Sequence, residues 1–127
     1  MWTGAKVPDI EQVLHQVLDR WKEGIAAHDP QSVAEVFADD AIFQGLRPFS
    51  VGPQGVVDYY DSQPVGMTVD YRILESRGFG EGVVLGYIAA TFAFLDRDAV
   101  ELRLGVVVTN TSGRWRIAYY QASPASG

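Results

Sequence analysis

Cysteine is absent from this 127-residue chain. That removes disulfides, thiolate metal sites and cysteine nucleophiles. Long apolar runs are missing too, and none approaches the roughly 18 residues a membrane helix needs. The opening "MWTGAKVPDIEQ" has no apolar core of the kind a secretory signal carries, so a cytoplasmic protein with no membrane partner is expected. Basic residues are scarce: 10 Lys and Arg face 16 Asp and Glu, a net charge of −6. Such a field repels phosphate backbones, so no nucleic-acid partner is expected. The two histidines, His15 and His28, lie in no metal-ligand spacing, and no HExxH or clustered carboxylates occur. No metal site is expected. Gly78, Gly80 and Gly82 fall between strands with no helix after them, which is not the setting of a dinucleotide fingerprint. No organic cofactor is called for. Asn110-Thr111-Ser112 fits a glycosylation acceptor but reads as a hairpin turn.

What is present is a hydrophobic fraction of 47%, ordinary for one globular domain spanning residues 1–127. Pro8-Asp9 opens a helix, with Asp9 as cap and Gln12 as its reciprocal partner. Ile10, Val13, Leu14, Val17, Leu18, Trp21 and Ile25 follow at helical spacing. Gly24 inside that stripe implies that another element packs closely there. Asp29-Pro30 caps a second helix over residues 30–37, and "AIFQ" is a short strand. Residues 45–52 read as irregular, and a third helix covers 53–62, stopped by Pro64. Strand-like alternation then begins at Met67 and continues through residues 83–95, 99–110 and 114–123. Helices before strands predict an α+β fold, with the sheet packed on the first helix and, being long and strongly twisted, curled around it to enclose a cavity. The other sheet face is apolar as well, and a homodimer would cover it.

The stretches Trp21…Ala27-His28-Asp29…Val36-Phe37-Ala38-Asp39-Asp40-Ala41, Gly52-Pro53-Gln54-Gly55-Val56-Val57-Asp58-Tyr59-Tyr60 and Gly113-Arg114-Trp115-Arg116-Ile117 resemble SnoaL-like proteins of the nuclear transport factor 2-like superfamily. Phe43-Gln44-Gly45-Leu46 and Tyr120-Gln121-Ala122-Ser123 are similar to the SgcJ/EcaC-type branch. The resemblance runs from about Val13 to Ser123. It implies a cone-shaped half-barrel, three N-terminal helices packed on a curved, mostly antiparallel sheet, and a range of roles: polyketide cyclases, ketosteroid isomerases, dehydratases, epoxide hydrolases and non-enzymatic association domains. Members of the SgcJ branch belong to natural-product gene clusters, including enediyne ones. Fold alone does not carry function here.

The family's motifs place the isomerase base at Gly45, the protonated acid at Gly105 and the oxyanion tyrosine at Trp21. None of the three can play its part, so isomerase chemistry by that route is not expected. A pocket-lining tyrosine falls at Tyr60, which is present. His15 lies off the apolar stripe and reads as solvated; His28 sits at a helix end where it can serve the free carbonyls. Asp39-Asp40 read as the turn between second helix and first strand. Glu101 and Arg103 share one strand face, two residues apart. By the same matching that face looks toward the cavity, where the pair would bind a polar group or activate water. The alternative is a solvated pair. Trp21, Phe43 and Tyr60 are the expected cavity wall, with Tyr120 and Gln121 near its base. Such a pocket suits a small, flat, hydrophobic ligand. Three readings stand at this point: a pocket protein for a polyketide-like intermediate, a non-catalytic dimeric accessory module, and an epoxide-hydrolase-like enzyme using Glu101 and Arg103.

Overall fold

Asp9 accepts a hydrogen bond from the Gln12 amide at 3.2 Å and so caps the first helix, α1 (Ile10–Ala26), in this computed structural model, which describes residues 9–125. Pro8, read with Asp9 as the helix opening, and the seven residues before it, read as carrying no secretory signal, lie outside the described residues. The apolar stripe of α1 is buried from Val13 to Ile25. At its other end the amides of His28 and Asp29 donate to the carbonyls of Ile25 and Gly24, at 3.0 and 2.9 Å. That is a Schellman closure, with His28 at φ 50° in the place glycine usually takes.

The second helix, α2 (Pro30–Ala34), is capped by Asp29, which accepts from the Ser32 amide and hydroxyl. It packs where the sequence implied a close approach: a Cβ on Gly24 would lie 2.7 Å from Val33 Cγ2. It ends earlier than the expected residue 37, because Val36 and Phe37 are recruited by the sheet. The Ile117 amide donates to the Val36 carbonyl at 2.9 Å, and Phe37 begins β1 (Phe37–Gln44). Asp39 and Asp40 are therefore not a turn. They are exposed residues within β1, where its register against the last strand shifts. Ser50–Val51 adds a short strand, β2, and α3 (Pro53–Asp61) follows.

Four long strands complete the chain: β3 (Thr68–Gly78), β4 (Val83–Ala93), β5 (Val100–Thr111) and β6 (Arg114–Pro124). The sheet order is β2-β1-β6-β5-β4-β3. All pairs are antiparallel except β1 with β6, so the curved sheet is mixed and open. The β5–β6 turn has Ser112 and Gly113 both left-handed, and the Gly113 amide donates to the Asn110 side chain at 3.0 Å. The core lies between the concave face and the helices. Leu102, Leu104, Val106 and Val108 of β5 and Val84, Ile88, Ala90 and Phe92 of β4 point into it. No helix among the described residues is long and apolar enough to cross a membrane.

Candidate functional site

The alternation of β5 decides the first question about the site. Leu102 and Leu104 face inward, so Glu101, Arg103 and Gly105 must face outward. Glu101 is exposed, and Arg103 is half-buried with its guanidinium 3.4 Å from its neighbour's carbonyl. The expectation that this pair faces the cavity fails, and the epoxide-hydrolase-like reading falls with it. Gln121 fails for the same reason. Tyr120 points inward, so Gln121 points out, where it accepts from the Tyr119 hydroxyl.

A cavity of about 60 Å³, open to solvent, lies at the end of the cone between α3, the β1–β2 loop and the inner face of β4–β6. Tyr59, Tyr60 and Gln63 line it from the α3 side, and Tyr120 lies at its base. Phe92 and Leu102 close it from the sheet. Leu46, Phe94 and Val100 stand toward the mouth, Leu46 being 58% exposed. Tyr60 and Tyr120 are thus where the sequence placed them, bordering the space. Trp21 and Phe43 are not. Both are fully buried behind the two tyrosines: Phe43 stacks on Tyr120 at 4.9 Å between ring centroids, and Trp21 meets Phe92 edge-on at 6.0 Å. They set the wall's position without forming its surface.

Gly45 has a steric reason to be glycine. A Cβ there would lie 2.3 Å from Tyr59 Cζ. The Tyr59 ring fills the space that a carboxylate at this position would need, and its hydroxyl accepts from the Leu46 amide at 3.2 Å. The loss of the isomerase base and the presence of Tyr59 are one arrangement. Sequence reasoning passed over Tyr59; its place directly before Tyr60, one helical step round toward Gly45, was the available signal.

The polar side chains lining the cavity are the phenols of Tyr59, Tyr60 and Tyr120 and the Gln63 carboxamide. The buried Trp21 Nε1–H donates to Tyr60 Oη at 3.0 Å. Burial raises the pKa of Tyr60, with the Trp21 bond opposing, and raises that of Tyr120, whose shift is increased by the neighbouring Tyr60 hydroxyl. Both phenols keep their protons at neutral pH. The Tyr60 hydroxyl accepts from Trp21 and so keeps its own proton to donate, and the Tyr59 hydroxyl, which accepts from the Leu46 amide, does the same. Among the described residues, no carboxylate, imidazole or cation lines the space. The site can hold a neutral carbonyl and donate to it; it has no group to abstract a proton.

The histidines lie elsewhere. His28 is part of the α1 closure. His15 is exposed but not merely solvated: its Nδ1 is 2.7 Å from Tyr71 Oη, which donates to Asp19 at 2.5 Å. Because that phenol proton goes to Asp19, His15 Nδ1 is the donor. With the Lys22–Asp70 pair at 2.7 Å, this ties α1 to edge strand β3. Among the described residues, no three His, Asp or Glu side chains gather as a metal site.

Comparison with solved structures agrees with this geometry at the level of the fold. A Xanthomonas campestris protein, described as a putative calcium/calmodulin-dependent protein kinase II association domain, superposes with TM-score 0.83 at 17% identity, over 96% of this chain and 94% of that one. A ketosteroid isomerase-like protein from Erwinia carotovora atroseptica gives 0.78 at 20% identity, covering 94% and 98%. A nuclear transport factor 2-like protein of unknown function from Pseudomonas putida gives 0.75 at 16%, covering 89% and 84%. No curated protein sequence gives a significant match. The SnoaL-like domain model matches residues 14–127, nearly the whole chain, and the chain belongs to that family.

Proposed function

We propose that this protein binds a neutral, flat, hydrophobic carbonyl compound in the cavity closed by Tyr60 and Tyr120. The observation that carries this is the cavity's composition: largely apolar walls, phenolic hydroxyls with protons to donate, and no charge among the described residues that line it. A charged ligand would lose its hydration with no counter-charge to replace it. A ring bearing a ketone or quinone oxygen would satisfy both wall and donor. The nearest biological fit is a polyketide-like intermediate in cytoplasmic natural-product biosynthesis of the enediyne type, in keeping with the SgcJ/EcaC-like turns at Phe43–Leu46 and Tyr120–Ser123. Any rate effect there would come from placement and from polarising that oxygen.

Calorimetry with 1-tetralone and its hydrocarbon counterpart tetralin tests this. The ketone should bind more tightly, and Tyr60→Phe or Tyr120→Phe should weaken it about 3- to 10-fold, the worth of one net hydrogen bond, leaving tetralin unchanged. No binding of either probe, or Phe variants that hold the ketone as well as the parent, would sink the proposal.

A second reading, a dimeric accessory module for a larger enzyme, is favoured by the row of exposed apolar residues on the convex sheet face. The association-domain description of the Xanthomonas neighbour points the same way.

A further inference from the structure

The enclosed space is too small for a ligand of several rings. One water takes about 10–15 Å³, so about 60 Å³ holds roughly four to six non-hydrogen atoms, the size of one small ring. The rest of a longer ligand must lie outside, across the mouth.

Apolar side chains from three connections frame that mouth. The β1–β2 loop brings Leu46, the β4–β5 turn brings Phe94 and Leu95, and Val100 opens β5. Leu46 and Val100 line the cavity, yet they are 58% and 37% exposed. Leu95 is 85% exposed and lies directly over Gly66 of the α3–β3 turn, next to cavity-lining Met67. Exposed apolar residues gathered at a cavity's edge mark a binding surface, whereas single scattered ones do not. The charges of the two connections balance: Arg47 and Arg97 stand against Asp96 and Asp98. Arg97 is engaged, with its guanidinium 5.2 Å from the centre of the Phe94 ring and its Nε 3.2 Å from Asp96. That contact holds the Phe94 ring at the lip.

We propose that Leu46, Phe94, Leu95 and Val100 form an outer shelf, an apolar subsite for the part of the ligand that the cavity does not enclose. This inference rests on the ligand reading above and narrows its ligand class to elongated ring systems with the carbonyl at one end. The carbonyl end enters first, toward Tyr60, and the outer ring lies on the shelf. A compact ketone reaches the phenols without using the shelf. A ketone in the middle of a long ring system cannot bring its oxygen to them.

Calorimetric titration of acetophenone and 2-acetylnaphthalene tests this. The second compound adds one ring at the end away from the carbonyl. The quantity read is the ratio of the two affinities. In the parent, 2-acetylnaphthalene should bind about tenfold more tightly, the worth of covering one face of the added ring. Leu46→Ser and Leu95→Ser change exposed side chains, so the fold should tolerate them, and each should lower the ratio about threefold. Tyr60→Phe, at the inner donor, should weaken both ketones and leave the ratio as it is. A parent ratio near one with acetophenone bound, or a ratio that neither serine variant lowers, overturns the shelf and leaves the cavity reading standing. Failure of both ketones to bind overturns the two together.

Discussion

Gly45 and Tyr59 show how a single residue can exclude a chemistry. The Tyr59 ring stands 2.3 Å from where a Cβ at position 45 would be, so alanine there must displace an aromatic ring that also accepts from the Leu46 amide. Overpacking of this kind costs about 1–3 kcal/mol. Gly45→Ala should destabilise the protein by that amount in urea unfolding. In Tyr59→Ala, where the space is vacant, the same Gly45→Ala change should cost under about 0.5 kcal/mol. Additive losses in the double variant would show that the ring is not what excludes a side chain at position 45. From the sequence, the glycine was legible as a missing base, but the reason was not, because it depends on a contact across 14 positions between a strand end and a helix. The same limit misplaced Glu101, Arg103 and Gln121. Their neighbours Leu102, Leu104 and Tyr120 carry the alternation that puts them outside, against the inward orientation that the family match at Gly105 implies.

At the scale of elements, the helix ends were the most legible features. Asp9 and Asp29 cap α1 and α2 as their spacing implies, and Gly24 marks the crossing of α2. The end of α2 was not legible, since Val36 and Phe37 satisfy a helical stripe and a strand equally well; pairing with Ile117, about 80 positions away, decides it. The α1–α2 corner contains one avoidable strain. His28 holds φ 50°, a conformation that costs a residue with a Cβ about 1–2 kcal/mol. Replacing it with glycine removes that cost and adds unfolded-chain entropy worth about 0.4–1 kcal/mol in the opposite direction. His28→Gly should therefore stabilise the protein by about 0.5–1 kcal/mol, seen as a higher urea midpoint with an unchanged slope. His28→Val should lower the midpoint. A loss of stability in the glycine variant would mean that the imidazole contributes more to the corner than the backbone strain takes away.

At the scale of the whole molecule, the convex sheet face is an apolar surface that none of the described helices covers. Strand register sets Val51, Ile42, Tyr119, Val107 and Leu85 side by side across five strands on the convex face. Tyr87 lies one row further along β4, where Gly105 opposite leaves its ring standing free. Ile42, Val51 and Tyr87 are 43%, 61% and 45% exposed. Strands of 11 or 12 residues in β4, β5 and β6, with β1 beside them, offer a plan area of about 650 Å² at the usual strand spacing. That approaches the roughly 800 Å² per partner of a standard interface. A second copy meeting the first through this face would bury the row against itself, as two-fold symmetry requires of a closed dimer. The cavity opens at the end of the cone and would remain accessible, so dimerisation and ligand binding are compatible. Light scattering after size exclusion should then give about twice the 14.0 kDa chain mass. Val107→Arg, at the centre of the row, should halve it by burying an unpaired charge, while leaving the concave core and the two tyrosines untouched. A monomeric parent at micromolar concentration would sink the dimer, and a Val107→Arg protein that stays dimeric would move the interface to another face.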